Sequence, residues 1–352
     1  MAHSCLAVDG ESGETLGLLA QHRWTRAPKE SWKRNNQRRQ FELKESARWS
    51  NVDTAAREMM SSDDDATTVC DREADIYEFL GQLTSSKRRF VVRAKDRLIQ
   101  GPARTLFRAM DAQPIAGTRE ITIEQRGIER GFFAQKTRES RPRRRAFLLV
   151  QARQITIPLP KNRHIEGAKP IMLNCVRVYE MEGDLEWILL TSEPIGSERQ
   201  IEQIVRDYEH RWKIEEWHRW WKTGCRLEER PFQSMEAVER IMVILAPIAT
   251  RLMQLHYLAN QDGGTNDAST MLSDEEQECL LATAAATRRP IEKMTCRAAY
   301  EAIGRLGGFA DTKGTGRIGT STMWRGWMRF QDRFIGWQMA RRETSSKISR
   351  EM

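Results

Sequence analysis

The chain lacks the features that mark secreted proteins, zinc ribbons and membrane-spanning proteins. Its six cysteines are scattered and form no Cys-x-x-Cys pair; they lie at Cys5, Cys70, Cys175, Cys225, Cys279 and Cys296. No run of about 18 uncharged apolar residues is present, and the first residues carry no apolar signal segment. Scattered cysteines argue against a disulfide framework and suit a reducing compartment. We therefore expect a cytoplasmic protein.

A large imbalance of charge is also absent. The 352 residues are 39% apolar and 30% charged, with 57 basic and 49 acidic side chains and a net charge of +8. This length and composition predict a soluble protein of about two domains. The basic excess is concentrated in two runs, Lys33, Arg34, Arg38 and Arg39, then Lys136, Arg138, Arg141, Arg143, Arg144 and Arg145. Such runs are typical of solvated loops, and they are also what a surface that tracks DNA phosphates would show.

Hydrophobic periodicity predicts a β-β-α-β-α-β order at the start of the chain. The predicted elements are a hairpin over 4–9 and 16–21, a helix over 50–60, a strand over 66–70, a helix over 72–85 and a strand over 89–93. From about 95 to 198 the sequence is rich in strands, predicted at 121–124, 146–150, 155–157, 171–178 and 187–191.

Helical periodicity dominates the rest of the chain. Helices are predicted over 197–226 and 235–260, followed by a linker over 263–270 and a helical remainder. That remainder contains an apolar stripe at helical spacing, formed by Trp324, Trp327, Met328, Phe334 and Trp337. Such a stripe is typical of a core or a dimer surface rather than a cofactor site.

One predicted helix carries four polar side chains in a line, Tyr208, Arg211, Glu215 and Lys222. At 100° per residue these positions fall within an arc of about 60°. One face would then present an aromatic hydroxyl, a guanidinium, a carboxylate and an ammonium group. The spacing also fits an exposed helix with ordinary ion pairs, since Arg211 and Glu215 are four residues apart. The stripe alone leaves both interpretations open.

A second motif, Cys70–Leu80, places Asp71 directly after a predicted strand. The carboxyl ends of strands are where α/β active sites form. Asp71 and Glu215 together would offer hard oxygen ligands suited to Mg²⁺ or Mn²⁺. Such ions activate water or a 3′-hydroxyl and stabilise the leaving oxygen of a phosphodiester. Asp71 also suits the simpler role of a helix N-cap.

These motifs resemble those of bacterial cut-and-paste transposases of the DDE type, in the IS-four group. The segment Cys70–Leu80 is similar to the family's second-aspartate motif, and the polar stripe has the spacing of its Tyr-Arg-Glu-Lys signature. Three further stretches, Lys44–Trp49, Trp187–Pro194 and Arg305–Phe309, also resemble the family. The likeness runs in the same order along nearly the whole chain.

The resemblance implies an α/β (α+β) fold, in which an RNase H-like mixed sheet is flanked by helices. A β-rich insertion would interrupt the core, and an all-helical C-terminal domain would follow it. On this basis, 1–95 would form the first part of the catalytic core and 96–198 the insertion. Residues 199–262 would complete the core with the helix of the catalytic Glu, and 271–352 would form a helical dimerisation domain.

The resemblance also implies roles for individual residues. Asp71 and Glu215 would be catalytic ligands of Mg²⁺, for which Mn²⁺ could substitute. The implied DNA contacts are Tyr208, Arg211 and Lys222 near the scissile phosphate, Arg93 and Lys95 on the strand after the Asp71 helix, and Trp187. The tryptophan would stack on a base flipped out of the duplex, unless it is an ordinary core residue of its strand.

The implied function is cleavage and strand transfer at transposon ends by a homodimer in a synaptic complex, at the nucleoid of a bacterial cytoplasm. The family needs a third acidic residue at the end of its first strand. Pattern alone points to Asp9, whereas the order of motifs equates His3–Leu19 with the family's second and third strands. On that alignment, the first strand and an N-terminal end-recognition domain would lie upstream of Met1.

The chain is then expected to be a truncated copy with little activity alone. An alternative is a non-catalytic inhibitor that forms mixed dimers with full-length transposase. A weaker alternative is a nuclease of the same core fold that does not transpose.

Overall fold

The computed structural model describes residues 1–24, 45–61, 64–123, 142, 144–160, 167–227, 231–312 and 316–351. The chain divides into two compact units. Residues Met1–Trp24 and Trp212–Met352 form the first, which we call the helical unit, and Thr25–Arg211 form the second, the sheet unit.

The predicted N-terminal hairpin is confirmed. Strand β1 (Ala2–Val8) pairs antiparallel with β2 (Thr15–Arg23), and the two form a sheet of their own. The Asp9 carboxylate shapes the connecting turn, because Oδ1 accepts the backbone N–H of Ser12 at 2.7 Å and its hydroxyl at 2.7 Å. This is the usual behaviour of an aspartate in a turn.

The sheet unit is built on a six-stranded mixed sheet of order β3-β4-β8-β7-β6-β5. Its strands are β3 (Thr67–Cys70), β4 (Arg89–Arg93), β5 (Gly117–Ile123), β6 (Arg144–Ile157), β7 (Ile171–Glu180) and β8 (Glu186–Thr191). Strands β3 and β4 are parallel, and the remaining pairs are antiparallel. Because β8 pairs with β4, the strands predicted as an insertion extend the sheet that carries Asp71.

Helices cover both faces of this sheet. They are α1 (Arg48–Glu58), α2 (Tyr77–Ser85), α3 (Leu106–Asp111) and α4 (Glu198–His210). Alternation along β4 sends Phe90 and Val92 into the core that contains α2 and α3, and Val91 into the core beneath α4. This mixed α/β architecture confirms the predicted fold class and is consistent with an RNase H-like fold.

Two predictions for the sheet unit are wrong in detail. The helix predicted over 72–85 begins at Tyr77, because Asp71 caps a separate 3-10 turn over Arg72–Ala74 and Ile76 is extended. The strands predicted at 146–150 and 155–157 form one strand, β6, whose ladder with β7 is continuous from Leu148 to Ile157. The polar residues between the two apolar runs do not interrupt that ladder.

The helix predicted over 197–226 is interrupted. After α4 ends at His210, α5 spans Lys213–His218 and continues into a π-helix over Arg219–Gly224. A uniform 100° per residue therefore does not describe the stripe from Tyr208 to Lys222, and its predicted 60° arc is wrong. Short π-helical segments are rare and occur frequently at functional sites.

The rest of the helical unit consists of α6 (Met235–Asn260), α7 (Asp274–Ala286), α8 (Cys296–Leu306) and α9 (Thr320–Glu351). Among the residues described, α6 is the one helix long and apolar enough to cross a membrane by length and composition. It packs on β2, α8 and the π-helix, and Ala249 and Leu252 are fully buried in the core. These contacts place α6 in the core of the helical unit.

The C-terminal apolar stripe is partly core. Trp324 and Trp327 are buried in the helical unit, whereas Met328 is exposed. The boundary between the compact units also differs from the predicted segments, since 1–24 group with 212–352 rather than with the rest of 1–95. The functional segments inferred from the resemblance therefore remain a prediction.

Candidate active site at the carboxyl end of β3

Sheet register brings two of the predicted site residues to one edge. Cys70 of β3 lies opposite Val92 of β4, so Asp71 and Arg93 follow at the same end of two parallel strands. The Asp71 carboxylate accepts the backbone N–H of Arg72 at 2.7 Å and so caps the 3-10 turn. Its side chain is still 44% exposed, which leaves carboxylate oxygen accessible to a ligand.

The pleat of the sheet gathers further predicted residues on the face beneath α4. Val69 and Val91 belong to that core, so alternation places Asp71 and Arg93 on the same side. Trp187 of β8 and Tyr208 of α4 also belong to it. The predicted positions on β3, β4, β8 and α4 are therefore neighbours in the sheet unit, although they are up to 137 residues apart in sequence.

Arg211, the first residue after α4, brings a positive charge to Asp71. Its Nη1 lies 3.6 Å from Asp71 Oδ2, and the Arg211 side chain is only 14% exposed. The same guanidinium lies 5.9 Å from the centre of the Tyr208 ring. This distance from Oδ2 is long for a hydrogen bond, so the contact is mainly electrostatic.

Tyr208 presents a buried hydroxyl beside these charges. Burial raises the pKa of Tyr208, the negative charge of Asp71 raises it further, and Arg211 and Arg93 act in the opposite direction. The phenol is therefore a neutral donor at physiological pH. Among the described residues, Tyr208 Oη has no aligned hydrogen-bond partner, although Arg93 lies close enough to affect its pKa.

Trp187 packs edge-on against Tyr208, with ring centroids 5.2 Å apart and an interplanar angle of 63°. It is partly buried at the margin of the α4 core. This contact is compatible with an ordinary strand tryptophan, and stacking on a flipped base stays a prediction.

Arg93 and Lys95 leave the same strand end with different surroundings. Arg93 Nη2 donates to the carbonyl of Glu186 at 3.1 Å, and its Nε is buried without a partner among the described residues. Lys95 has an exposed side chain, while its backbone N–H donates to the carboxylate of Asp75 at 2.8 Å. Hydrogen bonds therefore hold the side chain of Arg93 and the backbone of Lys95 in place.

Glu215 and Lys222 belong to the helical unit. Glu215 lies in the first turn of α5 and is half-buried, and Lys222 is exposed on the π-helix. The convergence of Glu215 on Asp71 therefore stays a prediction.

Among the predicted site residues, the side chains suited to binding a divalent metal ion are carboxylates. Within the described parts of the chain, no group of three or more His, Cys, Asp or Glu side chains gathers in a way that could hold a metal ion. Asp71 itself fits one ligand position of a divalent cation, because its carboxylate is 44% exposed and its Oδ2 lies 3.6 Å from Arg211 Nη1, beyond the length of a strong hydrogen bond. A complete ligand set needs at least one further carboxylate, for which the sequence nominates Glu215.

The structure describes only two residues of the two basic runs predicted from the sequence. The first lies outside the described residues, as does the second except for Arg144 and Arg145. Arg144 pairs with Glu180, and Arg145 Nη1 lies 3.0 Å from Glu120 Oε1. These two arginines therefore hold carboxylates on neighbouring strands, and a role of the runs in tracking phosphates stays a prediction.

Residues 50–250 match the family described as Transposase DDE domain, over more than half of the chain. The chain belongs to this family. Transposases of this family act on DNA and generally use divalent metal ions. The matched segment contains Asp71, the residues gathered around it, and also Glu215 and Lys222.

Sequence reasoning missed two side chains beside this candidate site, Asp75 and Arg97. They form an ion pair between the turn after β3 and the segment after β4. The available signal was the second aspartate inside the Cys70–Leu80 motif, which the sequence analysis quoted without assigning it a role.

Proposed function

We propose that this chain is a cut-and-paste DNA transposase of the IS-four group. It cleaves phosphodiesters at transposon ends and transfers the resulting strand to a target, using Mg²⁺. The observation that carries the proposal is the grouping of Asp71 with Arg211, Tyr208 and Arg93 at the carboxyl end of β3. A carboxylate close to guanidinium groups and to a neutral phenol suits a site that binds DNA phosphates.

The cationic side chains bind and orient the DNA backbone. Arg211 and Arg93 offer guanidinium donors whose charge-assisted hydrogen bonds suit phosphate oxygens. Tyr208, which stays neutral, can donate its hydroxyl to the same backbone. The Trp187 ring packs edge-on against the Tyr208 ring, with centroids 5.2 Å apart, and so supports the position of the phenol.

Asp71 and Glu215 would hold the divalent cation. When bound, the cation activates the attacking oxygen and stabilises the leaving oxygen of the phosphodiester. Arg211 holds Asp71 Oδ2 at 3.6 Å without the short contact that would compete with a cation for it.

The proposed assembly is a homodimer on paired transposon ends. Helix α9 supports this proposal, because Ile335 is 55% exposed and Met339, one turn further on, is 63% exposed. Adjacent exposed apolar side chains on a long helix are suited to pairing with a second copy.

Cleavage of a plasmid that carries the genomic segment around the gene tests the proposal. The wild-type chain should nick this plasmid in Mg²⁺ or Mn²⁺ and not in EDTA, at the low rate expected of a chain with little activity alone. Asp71→Ala and Glu215→Ala should each lower the nicking rate by about 100-fold or more, since each removes transition-state stabilisation of several kcal/mol. DNA affinity, measured by fluorescence anisotropy, should change by about threefold at most.

Matched controls come from neighbouring carboxylates. Glu73→Gln changes an exposed side chain on the 3-10 turn after Asp71, and Glu216→Gln changes the residue after Glu215. Both should cleave at the wild-type rate. Full cleavage by Asp71→Ala would remove Asp71 from the site, whereas a chain that pairs with an intact family transposase but never cleaves would favour the inhibitor alternative.

A further inference from the structure

A buried carboxylate joins the two strand ends that carry the site. The Asp75 side chain is 2% exposed. Its Oδ2 accepts the backbone N–H of Lys95 at 2.8 Å, and its Oδ1 pairs with the guanidinium of Arg97, whose side chain is 18% exposed. One carboxylate thus satisfies a backbone donor and a cation that both belong to the segment following β4.

The turn between Asp71 and Ile76 is shaped around this carboxylate. Ala74 N–H donates to the Asp71 carbonyl at 2.9 Å, and Ile76 N–H donates to the Ala74 carbonyl at 2.8 Å. Asp75, between them, has φ −71° and ψ 76°, the geometry of an inverse γ-turn. The chain therefore turns sharply at Asp75, and the bonds of its side chain hold that turn against the end of β4.

Asp71 begins this turn and Lys95 lies two residues beyond the last residue of β4. A shift of the turn relative to β4 would move the Asp71 carboxylate relative to Arg93 and Lys95. Parallel pairing fixes the strands only as far as Cys70 and Val92, so the position of Asp71 beyond that pair needs another constraint.

We propose that Asp75 is a positioning residue that, through Lys95 N–H and Arg97, fixes the Asp71 carboxylate against the DNA-contacting end of β4. The inference rests on the proposed function, since it assigns Asp75 a purpose in cation binding and cleavage at Asp71. Outer hydrogen-bond partners of this kind typically change metal affinity or activity by 10–100-fold when they are lost.

A second buried ion pair in the same unit provides a matched control. Asp53 pairs with Arg88, with side-chain exposures of 4% and 20%, and Asp53 Oδ1 accepts the Thr68 hydroxyl at 2.8 Å. These contacts hold α1 against the start of β4, through Arg88, and against the first half of β3, through Thr68, rather than against the carboxyl ends of the two strands. Asp53→Asn and Asp75→Asn therefore make the same chemical change in similarly buried pairs.

The variants separate positioning from folding. Asp75→Asn keeps an oxygen for Lys95 N–H but removes the charge that faces Arg97. Arg97→Gln removes the other half of the pair, and the double variant Asp75→Asn/Arg97→Gln leaves neither charge buried without its partner. All are compared with wild type and Asp53→Asn for thermal unfolding, Mn²⁺ affinity by electron paramagnetic resonance, and cleavage rate.

The expected result is a selective loss that the double variant reverses. Asp75→Asn and Arg97→Gln should each weaken Mn²⁺ binding and lower the cleavage rate by about tenfold or more, with the Michaelis constant for DNA little changed. The double variant should recover to within about threefold of wild type. Asp53→Asn should lower the melting temperature while leaving Mn²⁺ affinity unchanged.

Two outcomes would overturn the inference while leaving the proposed function intact. Folded Asp75→Asn protein with wild-type Mn²⁺ affinity and cleavage would do so, as would equal effects of Asp75→Asn and Asp53→Asn on every readout. If the wild-type chain itself neither binds Mn²⁺ through Asp71 nor cleaves DNA, the proposed function fails, and the inference fails with it. That pattern differs from the other two because it appears before any change at Asp75.

Discussion

At the scale of the residue, the Tyr208 hydroxyl is the side-chain group whose surroundings best fit the proposed contact with DNA. Its Oη is buried without an aligned partner among the described residues, beside the Trp187 ring and the Arg211 guanidinium. Arg93 offers this hydroxyl a poorly aligned hydrogen bond, and a buried hydroxyl left unpaired costs about 1–3 kcal/mol. Such a cost is consistent with a donor that is reserved for a DNA phosphate.

Tyr208→Phe should therefore separate stability from activity. Removing the unpaired hydroxyl while keeping the ring should leave the free energy of unfolding unchanged or raise it by about 1 kcal/mol. Cleavage should slow by about tenfold, the loss of one hydrogen bond in the transition state. Chemical unfolding and plasmid nicking measure the two effects, and a less stable Tyr208→Phe variant that cleaves normally would contradict this account of the hydroxyl.

Sequence reasoning found the residues whose type is unusual for their position and missed those whose role depends on burial. Asp71, Tyr208 and Arg211 were identified from spacing and resemblance, and the sheet unit brings these three together. Asp75 was not identified as a site residue, because nothing in the amino-acid sequence distinguishes it from Glu73, which precedes it by two residues. Only the tertiary structure makes Asp75 buried and leaves Glu73 exposed.

At the scale of the element, hydrophobic periodicity predicted several strands and helices correctly, but it did not predict where a helix is interrupted. Strands β3 and β4 and helix α6 lie close to their predicted bounds. The break at Arg211–Trp212 and the π-helix that follows were not predicted. Both residues at the break keep right-handed helical dihedrals, so no proline or glycine marks it in the sequence.

His218, where α5 meets the π-helix, should give the helical unit a pH-dependent stability. It packs against the rings of Trp217 and Trp221 at centroid distances of 5.4 Å and 6.2 Å. Burial lowers the pKa of His218 to about 4, and the charge of Lys222 adds to this effect. The imidazole is thus neutral in the folded protein down to a pH at which it is protonated in the unfolded chain.

Stability should therefore be lost as the pH falls from about 6.5 to about 4, by up to about 3 kcal/mol. His218→Phe keeps an aromatic ring and should remove this part of the slope. His22→Phe, elsewhere in the same unit, should leave it in place. Chemical unfolding monitored by tryptophan fluorescence at pH 7.5 and pH 5 measures the difference, and an unchanged slope in His218→Phe would refute the assignment.

At the scale of the whole molecule, the fold class could be predicted and the grouping of its parts could not. Local patterns predicted strand-rich and then helix-rich stretches, and the family resemblance implied a mixed sheet flanked by helices. The structure confirms this mixed α/β fold class. The first 24 residues belong with the helices of 212–352, because β2 packs on α6. Such a pairing of the two ends of the chain leaves no trace in local sequence patterns.

The central claim concerns the same scale, because Asp71 lies in the sheet unit and Glu215 in the helical unit. The most direct test replaces Mg²⁺ with Fe²⁺ in the DNA-bound protein and generates hydroxyl radicals, which cut the polypeptide next to the metal. We predict cuts near residue 71 and near residue 215, and the loss of both in Asp71→Ala and in Glu215→Ala. Cuts at only one of the two positions, or cuts near 215 that persist in Asp71→Ala, would contradict a cation shared by the two carboxylates.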